Sequence, residues 1–476
     1  MSTTLLTPKT PLDLFDYRYG EHGAILYRKG NPPVENSEDR SEVTEDEIKA
    51  LQKIAGKKLR QLPELLVFPE RPEDLEEDIK DDFIFEMEEI KDYLRISTYN
   101  LIGFICCGGV RINIHSRFEE NKPKEGKKIT DFFLIYMLAK ISRLNLLDLQ
   151  PPSSDDVNVF DLLPFLFPHY LRRALVQGMY KEYVHRKYND SNVKGTIDVS
   201  RHIRSNIPFL GKVAYNTREF SYDNRVTQLI RHTIEHIRSN SAVGEEIVNS
   251  PEVHDMVREI VDATPSYSMM DRQKVIRDNL KPFAHPYYNE YGALQELCLA
   301  ILRYDQISYG DSDQEVHGVV FDIAALWEEY LAVVLEDCGD IVHPNNREKT
   351  NPQYLFVGDK YPRYPDFFRK DPNDATKSTC VFDAKYKRIA DFNNKIDRDD
   401  IHQLITYMYI LQAAKGVIIS PAENAKDSAN IGTLNGYGGN VEVCYVHIPD
   451  NNDYNSFCKI MEEEEQELIE KIWKTT

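Results

Sequence analysis

Six side chains in the C-terminal third have the types and order needed to hydrolyse a phosphodiester bond: Glu328, Asp366, Asp383, Lys385, Gln403 and Tyr407. Two or three carboxylates converging on one point form a hard oxygen site suited to Mg2+, with Mn2+ as a substitute. A bound divalent ion polarises a phosphoryl oxygen and lowers the pKa of a coordinated water. A neighbouring lysine orients that water or offsets charge developing on the phosphorane oxygens. This chemistry needs no Ser or Cys nucleophile, and no triad pattern competes for the role. The histidines are read as lacking an H-x-x-x-H pair with a carboxylate partner, which sets a zinc hydrolase aside.

The elements that must position these groups follow from periodicity. TCVFDAKYKR (379–388) is strand-like, and side chains two apart on a strand share a face, so Asp383 and Lys385 project together. YPRYPDFFRK (361–370) places Pro365-Asp366 before an apolar pair. DDIHQLITYMYILQAAKG (399–416) reads as a helix with Gln403 and Tyr407 at i, i+4, and GVIISP (416–421) as a buried strand. GVVFDIAALWEEYLAVVLED (318–337) reads as one mostly buried helix. Its Glu328 and Glu329 are costly beside Trp327 and Leu331 unless they are paired or bind a cation. A lone D-x-K occurs often on surface strands. The ordered set E…PD…D-x-K…Q-x-x-x-Y, running helix, strand, strand, helix, is far more specific.

The rest of the chain sets the frame. Its 476 residues suggest two to four domains at about 150 residues each. With 41% hydrophobic residues it can bury ordinary cores, which excludes wholesale disorder. No apolar run is long enough for a membrane span and no secretory signal is visible. The seven Cys form no C-x-x-C pair, which fits reduced thiols in a cytoplasmic protein. Formal charge is −20, and it is uneven. Residues 35–92 carry 20 acidic and 9 basic side chains, and 449–476 carry 8 and 3. Residues 165–240 reverse the balance with 13 basic and 6 acidic. In that stretch Arg201, Arg204, Lys212, Arg218, Arg225 and Arg231 form either a solvated face or a contact surface for DNA phosphates or an acidic partner. Thr44-Glu-Asp-Glu47 is a capping box leading into Ile48, Leu51 and Ile54. LIGFICCGGVRINIHSRF (101–118) reads as a hairpin, 131–149 and 290–304 as helices, and 449–476 as a solvated terminal helix.

Glu328, Pro365-Asp366, Asp383-Ala384-Lys385 and Gln403-x-x-x-Tyr407 together resemble the PD-(D/E)xK nuclease superfamily, the last pair its RecB-like branch. KGTIDVSRHIRSN followed by REFSYDNRVTQLIRHTI resembles a conserved block of the McrC family, and NLIGFICCGGVRINIHSRF its N-terminal β segment. The likeness spans about residues 95–420.

It implies that Asp366 and Asp383 are the main metal ligands and that Glu328 completes the metal shell. Lys385 would act on the attacking water, and Gln403 and Tyr407 would position substrate or brace the site. Glu328 is preferred over Glu329 because it directly follows the aromatic. Ser116-Arg117-Phe118 stands where more typical members carry a Pro-Lys pair, which points to a divergent, LlaJI-like branch and leaves methylated-cytosine dependence open. Asp198, Asp223 and Arg225 match family-like positions and read as residues that cap and brace the junction between domains, with direct function as the alternative. The expected fold is α/β and α+β multidomain. It has a partner-docking β-rich region (1–130), a mostly helical middle with the basic segment (131–300), and a nuclease domain with an acidic C-terminal helix (301–476). The implied function is a Mg2+-dependent DNA endonuclease subunit of an antiphage restriction complex, stimulating a hexameric McrB-like AAA+ GTPase. The chain has no Walker A loop of its own. The alternatives are a non-catalytic activator of an AAA+ motor and a RecB-like repair exonuclease.

Overall fold

The computed structural model describes residues 12–16, 18, 25–29, 42–62, 65–69, 83–90, 93–107, 110–119, 131–144, 162–240, 244–308, 316–336, 338–344, 349–387, 397–424, 429–436, 438–451 and 453–474. The Gly108-Gly109 turn, residues 145–149 of the predicted helix and parts of the acidic stretch 35–92 lie outside them. The architecture is mixed α/β with several sheets. The chain divides into two compact units, one of residues 1–141, 145–162 and 306–476, the other of 142–144 and 163–305.

The first unit is built on three main sheets. In the hairpin, β7 (Leu101–Cys107) pairs antiparallel with β8 (Val110–His115), and Val110, Ile112 and Ile114 are buried as the alternation predicts. Beside them lie β1 (Leu12–Phe15), β12 (His317–Asp322) and β4 (Leu65–Phe68), in the order β1-β8-β7-β12-β4. A second sheet has the order β3-β2-β6-β5, from β2 (Ile25–Lys29), β3 (Glu42–Val43), β5 (Phe85–Ile90) and β6 (Tyr93–Thr98). The helix α1 (Glu45–Gln52) opens with the expected reciprocal cap between Thr44 and Glu47 and buries Ile48 and Leu51, with Ile54 buried in the turn that follows.

Residues 318–337 are not one helix. GVVF lies in β12, paired with β7 and β4, and only then does α10 (Ile323–Val334) begin. Two β-branched residues favour the strand. Asp322 ends it by turning its carboxylate onto the Ala325 N–H as an N-cap. The terminal helix α12 (Tyr454–Lys474) also differs from a solvated helix, because one face is packed. Glu465 in its acidic run is buried and accepts from Tyr136 and Tyr330 at 2.8 Å and from Lys140 at 2.7 Å. Tyr136 and Lys140 belong to α2 (Phe132–Ile141).

The third sheet has the order β13-β16-β17-β18-β20-β19, comprising β13 (Ile341–Val342), β16 (Phe367–Asp371), β17 (Asp374–Ala384), β18 (Lys415–Ala422), β19 (Ala429–Thr433) and β20 (Asn440–His447). β17 and β18 are parallel, so their connection must cross a face of the sheet, and α11 (Arg398–Leu411) makes that crossing. Leu404, Met408 and Leu411 of α11 pack on Val381, Ile418, Val441 and Val443. The approach is close enough that a Cβ on Gly416 would stand 2.6 Å from the Met408 sulfur. Between β13 and β16 a two-stranded hairpin is formed by β14 (Gln353–Phe356) and β15 (Lys360–Arg363).

The second unit holds α3 (Leu163–Val176) and a three-stranded sheet of β9 (Glu182–Asp190), β10 (Thr196–Ile197) and β11 (Val213–Ser221), with α4 (Val199–Ser205) between β10 and β11. Five helices follow: α5 (Arg225–Asn240), α6 (Gly244–Val248), α7 (His254–Ala263), α8 (Arg272–Asp278) and α9 (Glu290–Ser308).

Candidate active site at the end of the third sheet

The end of β17 carries Asp383 and the chain then leaves the sheet through Lys385. Both point to one side: the Lys385 ammonium stands 3.1 Å from Asp383 Oδ2. Asp366, just before β16, turns its Oδ2 onto the Ala384 N–H at 2.6 Å, which fixes its carboxylate beside the same strand end. Lys385 also donates to Gln403 Oε1 at 3.2 Å, and the Gln403 amide donates to the Tyr407 hydroxyl at 2.9 Å. The structure therefore brings Asp366, Asp383, Lys385, Gln403 and Tyr407 into one chain of contacts. Glu328 on α10 lies 4.0 Å from His343 Nε2 and close enough to Asp366 to act on its charge.

The electrostatics are those of an under-neutralised carboxylate pair. Asp383 is fully buried, and neither of its carboxylate oxygens has a hydrogen-bond partner among the described residues. Its neutralising contact is the Lys385 ammonium, 3.1 Å from Oδ2. Burial pushes the Asp383 carboxyl above its ordinary pKa, against the pull of Lys385. Burial, then the charges of Asp383 and Glu328, push Asp366 well up. Burial alone would lower Lys385, but Asp383, Asp366 and Asp400 outweigh it, so the ammonium is held above its usual range. Burial, with the charge of Asp366, raises the Tyr407 phenol to about 12.

These residues fit a divalent cation on an observable: the two orphaned oxygens of buried Asp383, beside the Asp366 carboxylate and with the Lys385 ammonium as their neutralising neighbour. Among the described residues no group of three or more His, Cys, Asp or Glu side chains is placed to hold a metal ion, so Glu328 does not join Asp366 and Asp383 as a third ligand in this arrangement. An open carboxylate pair suits Mg2+, which keeps several waters and usually takes one or two carboxylates plus substrate phosphate.

Several residues of the site carry no sequence signal. His343, next to β13, hydrogen-bonds through Nδ1 to the Asp366 carbonyl at 2.7 Å and stacks on Phe367. A carbonyl only accepts, so Nδ1 holds the proton and Nε2 faces Glu328. Asp400 holds Lys387 at 3.0 Å, so Lys387 flanks the site as a paired cation. Trp327 Nε1 and the Lys385 N–H both donate to the Ile419 carbonyl, tying α10 to the strand end. Arg117, in the Ser-Arg-Phe segment after β8, is buried; its guanidinium lies over the Tyr386 ring at 4.3 Å, donates to the Tyr386 carbonyl and pairs with Asp16 at 3.4 Å. The residue after Lys385 is thereby clamped to the first sheet. A three-dimensional signal would have been needed to find it, since residues 16, 117 and 386 are far apart in sequence.

The basic segment of the second unit differs. Asp198 caps α4 by accepting the Arg201 N–H, and that bond, chiefly, holds its pKa below the ordinary value. Arg201 donates to the carbonyls of Tyr188 and Tyr215 and to Asn216. Asp223 is buried, which would raise its pKa, but Gln228, Ser266 and Arg186 bind it and the net shift is downward. Arg225 pairs with Glu182 at 3.5 Å and Arg231 with Glu235 at 3.0 Å. Arg204, Lys212 and Arg218 are exposed; among the described residues Arg204 donates only to its own helix at Ser200, and Arg218 lies 4.4 Å over the Tyr183 ring. One correction concerns histidine. His232-Thr-Ile-Glu235-His236 does have H-x-x-x-H spacing with an acidic neighbour. It forms no metal-ligand group among the described residues, because His236 Nδ1 faces Arg272 and Glu235 is paired with Arg231 and Arg238.

Comparison with known proteins agrees with the sequence likeness. A family model for "McrBC 5-methylcytosine restriction system component" matches residues 96–421. Among solved structures, a chain of the refined half-complex from a tetradecameric assembly of Thermococcus gammatolerans McrB AAA+ hexamers with bound McrC is similar. It shows 17% identity over 95% of this chain and 100% of that one, with a TM-score of 0.46. A chain of the cryo-EM structure of the Thermococcus gammatolerans McrBC complex shows 16% identity over 69% and 87%, with a TM-score of 0.31. No curated protein matches.

Proposed function

Because this chain belongs to the family of McrBC 5-methylcytosine restriction system components, we propose that it is the nuclease subunit of a restriction complex and that Asp366, Asp383 and Lys385 carry a Mg2+-dependent hydrolysis of DNA phosphodiesters. The observation that carries this reading is the buried Asp383 carboxylate, next to a second carboxylate and with the Lys385 ammonium as its neutralising contact. A structural aspartate in such a place would be bonded or absent.

Asp366 and Asp383 would hold the cation, with Glu328 supporting them. When bound, the ion supplies Lewis-acid polarisation of the phosphoryl oxygen and a more acidic water. Lys385, held as an ammonium, offers a positive charge and a hydrogen-bond donor; it is not a base in that form. Gln403 keeps the ammonium aligned and Tyr407 keeps Gln403 aligned. The Trp327 bond to the Ile419 carbonyl holds α10, and with it Glu328, against the strand end.

A chain with 78 acidic side chains and 58 basic ones is poorly suited to capturing DNA by itself. We assign delivery of DNA to an AAA+ partner of the McrB kind, since this chain lacks a Walker A loop for nucleotide hydrolysis. The test is co-purification with such a partner, then a DNA cleavage assay with nucleotide and Mg2+. Asp383→Asn is expected to reduce cleavage more than about 100-fold, beyond the range for changes one layer outside a metal. Partner nucleotide hydrolysis should persist in that variant. Cleavage at the wild-type rate would overturn the assignment.

A further inference from the structure

The β14–β15 hairpin is not absorbed by the site just described, yet it is joined to it at both ends of its root. β14 packs against α11, the helix of Gln403 and Tyr407, and β15 ends at Arg363, three residues before Asp366. A ribbon of this length reaches roughly 15 Å from root to tip at about 3.3 Å per residue.

Its surface has an unusual composition for a solvated loop. Tyr354, Phe356 and Tyr361 are 37%, 56% and 63% exposed, and Val357 at the tip is fully exposed. Phe356 and Tyr361 meet edge to face at 5.6 Å. Large apolar groups left in water without partners mark an interaction surface.

Charge supplies a second, independent observation. Around the catalytic strand end the cations are paired: Lys385 with Asp383, Lys387 with Asp400, Arg369 with Asp340, Lys415 with Glu442. On the hairpin, Lys360 has no ion-pair partner among the described residues, and Arg363 donates only to the carbonyl of its neighbour Pro362. In a chain of net charge −20, two unpaired cations beside the site are complementary to an anion and not to the chain's own carboxylates.

The backbone adds a third. Of the six non-glycine residues with positive φ among the described residues, Lys349, Asn351, Asp359 and Tyr361 fall in or just before this hairpin. Such conformations cost energy and cluster at ligand clamps.

Exposed aromatics interleaved with unpaired cations are the combination that single-stranded or unstacked nucleic acid requires, rings for bases and cations for phosphates. A two-stranded ribbon also fits the major groove of duplex DNA. We propose that the β14–β15 hairpin is a DNA-gripping wing of the catalytic centre. Phe356, Tyr361 and Tyr354 stack on bases, and Lys360 and Arg363 hold phosphates of the strand presented to Asp366 and Asp383. This inference rests on the nuclease reading for the identity of the ligand.

The test uses the full chain co-purified with its AAA+ partner, irradiated without divalent metal with single-stranded and duplex DNA carrying iodouracil, with cross-linked peptides mapped by mass spectrometry and cleavage read separately with nucleotide and Mg2+. Cross-links should fall within residues 353–363. The double variant Lys360→Ala, Arg363→Ala should lower the slope of log affinity against log salt by about 1 to 2, one unit or slightly less per lost phosphate contact. Phe356→Ser with Tyr361→Ser should weaken single-strand binding about tenfold per stacked base lost. Cross-links confined to other segments, no cross-link at all, or wild-type binding and cleavage in both variants overturn the proposal, including the case in which the hairpin proves to seat a protein. Asp383→Asn separates the two readings. It should lose cleavage and keep the hairpin cross-links. If it still cleaves, the nuclease assignment fails, while the cross-link map judges the hairpin by itself.

Discussion

Two charged regions of this chain treat their charge in opposite ways. In the basic segment of the second unit most charges are consumed internally. Arg201 is shared among two carbonyls and an amide, Arg186 and Asp223 are paired, and Arg231 and Arg238 hold Glu235. At the end of the third sheet, Asp383 is buried with the Lys385 ammonium as its neutralising contact, and Asp366 sits beside it with its pKa pushed up by burial and by that neighbour. A charge that is fully satisfied stabilises a fold. A charge left unsatisfied in a buried place costs stability, and function is the usual reason it is retained. Composition alone drew attention to the basic segment, but the arrangement of partners singles out the acidic one.

This contrast makes opposite demands on stability. The largest effect should come from breaking a consumed charge. Asp223→Ala leaves Arg186 without its carboxylate and should cost about 3–5 kcal/mol in denaturant unfolding. An unchanged midpoint would remove Asp223 from the bracing role.

Next comes acid sensitivity of the second unit. His232 is fully buried, neither ring nitrogen has a hydrogen-bond partner among the described residues, and its pKa is lowered to about 4, by burial first and then by Arg272. Between its ordinary value of 6.5 and about 4 the unfolded chain therefore binds the proton and the folded one does not. Stability is intact above pH 6.5 and falls as pH drops through that window, by up to about 3 kcal/mol. His232→Phe should flatten this part of the pH–stability curve, and an unaltered curve would assign the loss to other groups.

The unsatisfied region should respond with the other sign. Asp383→Asn removes a buried charge whose own pKa is raised, so without metal its melting temperature should rise while cleavage is lost. Added Mg2+ should stabilise the wild type and not the variant. A fall in melting temperature would mean that Asp383 is a consumed charge after all. The smallest effect belongs to Arg204, which is exposed and bonded only to its own helix. Arg204→Gln should change stability by less than about 0.5 kcal/mol.

Local chemistry was readable from the chain itself. The i, i+2 spacing put Asp383 and Lys385 on one side of a strand, and i, i+4 spacing put Gln403 within reach of Tyr407; both meet as expected. The Thr44–Glu47 cap and the buried face of β8 were equally legible, because caps and alternation depend only on residues a few positions apart. Pairing between distant segments was not. GVVF carries no mark saying that its partner is β7, more than two hundred residues earlier, and so it merged with the helix that follows. Glu465 looked like any member of an acidic run until Tyr136, Tyr330 and Lys140 closed around it. His343 and Arg117 gained their places at the site from β13 and β8, through contacts no spacing rule encodes. The sequence by itself thus determined which groups are candidates for the chemistry and what local elements carry them, since those are set by short-range periodicity and side-chain type. Only the tertiary structure decided which charges are consumed and which are left over, since a buried charge is judged by every group around it, wherever in the chain that group lies.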